Sequence, residues 1–554
     1  MATGRDCLVA GEVDARRWRT INCERTVLAV ARTFTSAVRL LDALSVFSSD
    51  FRVEVRFAFD DSSAFSTGVP DLLRESGVRF AALRDAMRSR FDLALMASEN
   101  IELEHIDAPV VVLPHGTGFH RYVPDSEGQG DRLAGVVPAA RLAGRQVWMA
   151  VPHPGQREQL QADYPEAAAR CVVVGDMVFD ELAASLPLGD LYRQDLAVGP
   201  GQRLVVVTST WGTGSLMHSW QELPARLLGE LPADEYRVAL VLHPNAWSWH
   251  GEYQVKLWLA DAREAGLIVL PPSGGWQAAL VASDAVIGDH GSVTLYGAAL
   301  DRPVLLAGDQ AAAKVVPGTP PDELSRTAIR LDGARPLAGQ IAAAIEGHDP
   351  GRFAALADRM FARRGEAAIM LRDLLYDRLS LAVPDSVPAV RAAGRPRPEQ
   401  TEARSFVVFS KVGPGREISL WRFPAAVDNG GVADPGAARH LCVDEEDPDR
   451  RRSENASVIV RRVSTGRGEA GAWIDSAFRR YPGCRVTAAA TADGCLAGSA
   501  DGQRIHVTAS PATDPALAAS AVYACLRAGE QARGPVTIRT GTSSFAALMT
   551  PWPA

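Results

Sequence analysis

The chain has 554 residues, enough for three or four folding units of about 100–200 residues each. Hydrophobic residues make up 47% and charged ones 22%, the balance of an ordinary globular protein. With 58 Lys and Arg against 66 Asp and Glu, the formal net charge of −8 excludes a global attraction to nucleic acid or anionic lipid.

The seven cysteines (Cys7, Cys23, Cys171, Cys442, Cys484, Cys495, Cys525) are scattered, and none form a C-x-x-C pair. Neither a disulfide framework nor a zinc ribbon is implied. The opening "MATGRDCLVAGEVDARRWRT" lacks the apolar core of a signal peptide, and no uninterrupted apolar run of about 18 residues marks a membrane span. A reducing cytoplasm is expected, with at most peripheral contact at the inner membrane face. One arginine-rich stretch, "LLRESGVRFAALRDAMRSRF", reads as an amphipathic helix. Its plain meaning is a solvated helix face; its sharper meaning is a membrane-surface helix.

After an N-terminal extension (1–25), short apolar runs alternate with helical spacing. "TVLAVA" is followed by the helix-like "RTFTSAVRLLDALSVF", then by "FRVEVRFAF", "FDLALMAS", "APVVVLPHG", "QVWMAVPHP" and "RCVVVGDMVFDEL". Strands that are apolar throughout and separated by helices predict a parallel sheet covered on both faces. The pattern restarts after a linker at 186–202, with "RLVVVTSTWG", "YRVALVLHPN", "GLIVLPPSGG", "DAVIGDHGS" and "RPVLLAGDQ". Two facing doubly wound units, 26–185 and 203–380, are expected, with ligands bound beyond the carboxyl ends of their strands. A Pro/Arg-rich linker (381–404) leads to a small α/β domain (405–554) in which no catalytic constellation is readable.

Polar residues gather at the predicted strand ends. In the first unit these are Thr33, Thr35 and Ser36, then Ser98 and Asn100, then His115, Gly116 and Thr117. In the second they are Thr208, Ser209 and Thr210, then His243, then Asp289, His290, Gly291 and Ser292. Each taken alone is a helix cap or a turn residue. Six polar strand ends together point to a polar ligand.

"GDHGSVTLYGAAL" leads from a strand into a helix whose first N–H groups suit a phosphate. Gly291 allows close approach, and Ser292 and Thr294 add hydroxyl donors. His243, in "LVLHPN", is either a donor to the diphosphate or a satisfied core histidine; His153, in "VPHPGQ", is read as structural. His115 leaves its strand in "LPHGTGF", opposite the anion site. A histidine there can take the proton of an attacking hydroxyl, or merely hold a loop.

These segments, in order, resemble the CDP-glycerol glycerophosphotransferase family, the teichoic-acid primase and polymerase type with a GT-B fold. "LPHGTGF" is similar to that family's His-Gly-Thr-Pro segment. "VVVGDMVFDEL" matches its Gly-x-Pro-x-x-Asp segment through Gly175 and Asp180, and "VVVTSTWG" its Pro-Thr-Trp segment through Thr210 and Trp211. "VLHPN" resembles its His-Pro pair, and "GDHGSVTLYGAALDRPVLL" its Asp-Tyr-Ser-Ser segment followed by Arg-Pro. Three departures stand out. His290 and Gly291 replace the tyrosine and first serine, Tyr296 and Gly297 stand where an acidic residue is expected, and Gly212 replaces the arginine after Thr-Trp.

The expected function is transfer of a glycerophosphate or glycosyl group from a CDP-, UDP- or GDP-linked donor to an acceptor hydroxyl, with His115 and His243 catalytic. Thr208, Thr210, His243, Asp289, His290, Gly291, Ser292 and Thr294 would hold the nucleotide diphosphate. Thr33, Ser36, Ser98, Gly116 and Thr117 would line the acceptor side. No obligatory cofactor or metal and no nucleic-acid partner is expected. Two alternatives stand beside this. One is a non-hydrolysing sugar-nucleotide 2-epimerase using Asp289 and Glu99 as acid/base groups. The other is an inactive GT-B scaffold that binds a nucleotide or a protein partner.

Overall fold

The computed structural model describes residues 20–101, 106–114, 116–124, 130–308, 314–399, 402–430, 436–510 and 514–552. Most of the N-terminal extension therefore lies outside the described residues.

The first unit is built on β1 (Arg25–Ala31), β2 (Val53–Phe59), β3 (Phe80–Ala82), β4 (Leu93–Met96) and β5 (Val110–Val112). After a small hairpin, β6 (Tyr122–Pro124) and β7 (Asp131–Leu133), come β8 (Val147–Val151) and β9 (Cys171–Val173). The sheet order is β3-β2-β1-β4-β5-β8-β9, and all its pairs are parallel. β4 and β5 are buried at every residue, because helices cover both faces; this is why their sequences are apolar without alternation.

The second unit has β10 (Arg203–Ser209), β11 (Tyr236–Leu242), β12 (Ile268–Val269), β13 (Ala285–Gly288), β14 (Val304–Leu306) and β15 (Ile329–Arg330). They form a parallel sheet of order β12-β11-β10-β13-β14-β15. In both sheets the strand order reverses beside the first strand, at β1/β4 and at β10/β13. Such switch points leave a crevice at the carboxyl ends.

The chain crosses between the units twice. The Met177–Ser185 helix leads out of the first, and 186–202 is more than a linker: it carries the Gly189–Asp195 helix, whose Tyr192 is fully buried in the second core. The Ala367–Leu379 helix returns to the first unit and packs Leu371, Leu375 and Tyr376 into its core. Asp180 anchors that return, accepting the N–H groups of Gly365 at 2.6 Å and Ala367 at 3.0 Å.

One expectation is corrected and one is made finer. The arginine-rich stretch does not form one amphipathic helix. The Val69–Glu75 helix ends at Gly77, which has φ +72°, and the chain then enters β3 and the short Leu83–Ala86 helix. The last section, expected as a small α/β domain, carries a closed nine-stranded barrel that the expectation did not describe. Its strands are β16 (Phe406–Val412), β17 (Glu417–Pro424), β18 (Ala438–Asp444), β19 (Val458–Thr465), β20 (Val486–Thr491), β21 (Gly494–Ser499), β22 (Arg504–Ser510), β23 (Gly534–Thr540) and β24 (Ser543–Pro551). They run β16-β17-β23-β24-β22-β21-β20-β19-β18 around the ring. The alanine-rich Pro515–Arg527 helix is buried at every residue from Ala516 to Cys525 and packs against β16 to β21. A helix apolar on all sides needs such an enclosure, and its small side chains fit the lumen.

The barrel docks on the amino ends of the second sheet. Arg422 bridges Asp234 at 2.9 Å and Asp514 at 2.5 Å, and the Thr540 hydroxyl donates to Asp234 at 2.7 Å. Asp234 lies just before β11. A seven-residue strand is about 23 Å long, so the barrel sits that far from the crevice.

A buried polar seam joins the units beside the crevice. Arg39, on the Phe34–Ala43 helix, donates to the Tyr296 hydroxyl at 3.2 Å, and that hydroxyl donates to Asp176 at 2.9 Å. Burial, reinforced by the nearby Asp42, pushes the Glu181 carboxyl at this seam up to about 7. The folded chain thus holds a proton that an unfolded chain, near the ordinary value of 4.5, has released. Stability from this group is full below that ordinary value and is lost as pH climbs towards about 7. Thermal unfolding midpoints should therefore fall between about pH 5 and pH 7, and the Glu181→Gln variant should flatten that decline.

Candidate active site

The polar strand ends of the first unit are partly consumed by helix starts. Thr33 and Ser36 form a capping box: the Ser36 hydroxyl accepts the Thr33 N–H at 2.8 Å, and the Thr33 hydroxyl accepts the Ser36 N–H at 3.2 Å. Ser98 accepts the Asn100 N–H at 3.3 Å. Glu99 is buried and receives Arg132 and the Gly135 N–H, each at 3.2 Å.

The turn after β5 differs. His115 lies outside the described residues; the turn that follows it begins at Gly116. Gly116 and Gly118 have φ +144° and +121°, conformations open to glycine and closed to proline, whose ring holds φ near −65°. The resembled family's proline therefore could not replace Gly118. The Thr117 carbonyl accepts from His120 Nε2 and Gln156 Nε2, both at 2.7 Å. Burial lowers the His120 value to about 4, so this ring is a neutral brace for the turn. Main-chain bonds then pin the loop to the second unit: Val316 N–H donates to His120 O at 2.8 Å, and Tyr122 N–H to Lys314 O at 3.0 Å.

On the second unit, Asp289 organises the exits of β10 and β13. One carboxylate oxygen accepts the Thr210 N–H and hydroxyl, both at 2.8 Å, and the Leu216 N–H at 2.9 Å; the other accepts the Gly291 N–H at 3.0 Å. With four donors and almost no exposure, Asp289 shapes the site and does not face a ligand. Thr208 and Thr294 are buried beneath it, packed over Gly288, where a Cβ would meet both side chains.

The Ser292–Ala299 helix follows the N-cap Gly291 and has no side-chain cap, so its first amides lack an internal partner. His290, just before them, has an unpartnered buried Nδ1, and burial lowers its pKa. His243 accepts the Asn245 N–H on Nδ1 at 3.1 Å, which in the neutral ring leaves the proton on Nε2. His153 makes the same bond to Gly155 at 3.0 Å, so capping is the shared local role of both His-Pro pairs.

The two sides meet. Thr117 N–H donates to the Ser292 hydroxyl at 3.4 Å, and a Cβ at Gly116 would stand 2.8 Å from that hydroxyl. Phe65 of the first unit packs on Trp211 at 4.6 Å and Trp249 at 6.0 Å between ring centroids, while Trp211 lies 6.3 Å from His243. The Arg121 guanidinium lies 5.7 Å from the Trp211 ring centre. Gly116, Thr117, Thr210, His243, His290, Gly291 and Ser292 thus lie around one crevice, with Asp289 buried in its wall. Thr33 and Ser36 are spent at a helix start. Phe65 and Arg121 were not legible as site residues, because lone side chains in irregular loops have no periodicity or motif to mark them. Among the described residues no group of three His, Cys, Asp or Glu side chains is placed to hold a metal ion, and no helix is long and apolar enough to cross a membrane.

No protein-family model and no curated protein matches the chain. Solved structures do resemble it. The wall teichoic acid polymerase TagF gives a TM-score of 0.42 at 13% identity, over 65% of this chain and 90% of that one. Anabaena HepE in complex with UDP-glucose gives 0.38 at 14% identity, over 64% and 100%. S. aureus MnaA in a UDP co-structure gives 0.38 at 10% identity, over 67% and 100%. TagF is a polymerase of the type that the sequence motifs resemble. At these TM-scores no residue role passes from those proteins to this chain.

Removing the Asp289 carboxylate should disorder both loops at once. Asp289→Ala is expected to cost about 3 kcal/mol or more in unfolding free energy, since hydrogen bonds to a charged group contribute about 1.5–3 kcal/mol each. Urea denaturation measures this, and hydrogen exchange should rise first in 209–216 and 289–292.

Proposed function

We propose that the chain is a GT-B type transferase acting on a nucleotide-diphosphate donor. The observation that carries this reading is the contact of the Gly116–Thr117 turn with Ser292, which sets the exit of a first-unit strand against an uncapped helix start of the second. The positive end of that helix, with the Ser292 hydroxyl, is suited to the diphosphate, and His243 stands nearby.

In this reading His115, one residue before Gly116, is the general base. It takes the proton of the acceptor hydroxyl as the acceptor oxygen forms its new bond. With a glycosyl donor the new bond is to the sugar carbon, the carbon–oxygen bond to the diphosphate breaks, and a nucleoside diphosphate leaves. With a glycerophosphate donor the new bond is to the β-phosphorus, the bridging P–O bond breaks, and a nucleoside monophosphate leaves. Either way negative charge grows on the leaving group, where fixed amides and the helix dipole are most effective. The epimerase alternative gains nothing from the geometry, since Asp289 and Glu99 are both committed to internal donors.

Calorimetric titration with CDP, UDP, GDP and ADP tests the reading. One nucleotide should bind, Ser292→Ala should weaken it roughly tenfold, and His115→Ala should keep the affinity while turnover falls about 100-fold or more. Equal indifference to all four nucleotides would sink the transferase reading.

A further inference from the structure

The sequence of the second unit's phosphate-facing loops contains no strong cation. The turn after β10 reads Thr-Trp-Gly-Thr-Gly-Ser, the turn after β13 reads Gly-Asp-His-Gly-Ser, and burial holds the histidine of the latter below its ordinary pKa. A diphosphate brings at least two negative charges, and hydrogen-bond donors alone are a weak answer to them.

Arg121 comes from the other unit. Its main chain bridges to Val315, and the neighbouring bonds Tyr122 N–H to Lys314 O and Val316 N–H to His120 O fix its backbone across the crevice. Its guanidinium lies over the face of Trp211, the residue before Gly212. Among the described residues it has no hydrogen bond and no ion pair. Burial works against its charge, with Asp289 and Glu99 in support from a distance. Neither pairs with it: Asp289 accepts four other donors, and Glu99 accepts Arg132 and Gly135. A half-buried guanidinium without a contact partner carries a desolvation cost that a bound anion relieves.

We propose that Arg121 is the cation of the donor site: its guanidinium, held over Trp211, receives the diphosphate whose other side rests on the helix start at Ser292. This rests on the transferase reading above and assigns its charge-neutralising group. Held over the indole at 5.7 Å from its centre, the guanidinium keeps its fork of N–H groups for phosphate oxygens, an arrangement a lysine cannot reproduce. Because the cation and the amides sit on different units, a diphosphate bridges the two sheets, and donor binding should strengthen their association.

The test is calorimetry on the full chain with CDP, UDP, GDP and ADP and with the corresponding nucleosides, which lack phosphate. Arg121→Ala and Arg121→Gln should weaken the preferred nucleoside diphosphate roughly 10- to 100-fold and leave the nucleoside's affinity unchanged. Arg121→Lys should restore part of the loss. The glutamine variant keeps most of the side chain's bulk, so it answers the question if the alanine variant fails to fold. Diphosphate affinity unchanged in Arg121→Gln but reduced in Ser292→Ala would overturn this proposal and leave the transferase reading standing. Equal loss of nucleoside and diphosphate would also overturn it, by making Arg121 a structural support. If the unaltered chain binds no nucleotide at all, the transferase reading fails and this assignment goes with it.

Discussion

Two parallel sheets can share a working crevice only if their strand exits come within contact distance, and here that approach depends on a missing side chain. At Gly116 a Cβ would stand 2.8 Å from the Ser292 hydroxyl, and the φ of +144° lies where side chains are strained. The glycine lets the turn after β5 rest on the first residue of the Ser292–Ala299 helix. The rest of the site follows from this closeness: the uncapped amides, the aromatic bridge from Phe65 to Trp211, and the main-chain bonds of His120 and Tyr122 to the opposite unit.

Asp289 holds the other wall in place. By accepting donors from Thr210, Leu216 and Gly291, one carboxylate locks two loops that belong to different strands. The cost is chemical: a carboxylate so occupied offers little to a substrate. The seam of Arg39, Tyr296 and Asp176 beside the crevice joins the two units. Among the described residues the barrel takes no part in this wall. It is tied through Arg422 and Asp234 to the amino ends of the second sheet, so an influence on the crevice would have to pass along that sheet.

Much of the architecture was legible because its signals are local. Runs such as "VVVL" and "RLVVV" are apolar at successive positions since both sheet faces are covered, and that pattern survives without any knowledge of neighbours. In the last section "SFVVFSKV" and "RIHVTAS" are locally strand-like and the run from Ala516 to Cys525 is locally helix-like, but closure into a barrel has no local signal. Barrel closure rests on pairings such as β16 with β18 and β17 with β23, and nothing local in either partner marks them. The arginine-rich stretch failed differently: its helical periodicity was real, but Gly77 and the pairing of β3 with β2 interrupt it.

The candidate site divides along the same line. Sequence alone determined that polar residues stand at strand exits and that a helix begins at "GSVTLYG", because caps, turns and breaks are set by a few adjacent residues. Only the tertiary structure decided which of them look into the crevice. It buried Thr208 and Thr294, spent Thr33 and Ser36 on a helix start, turned Asp289 inward, and brought Arg121 from a featureless loop to the face of Trp211. The reason is physical: a side chain's type is inherited from its codon, but its partners and its access to a ligand are set by segments hundreds of residues away.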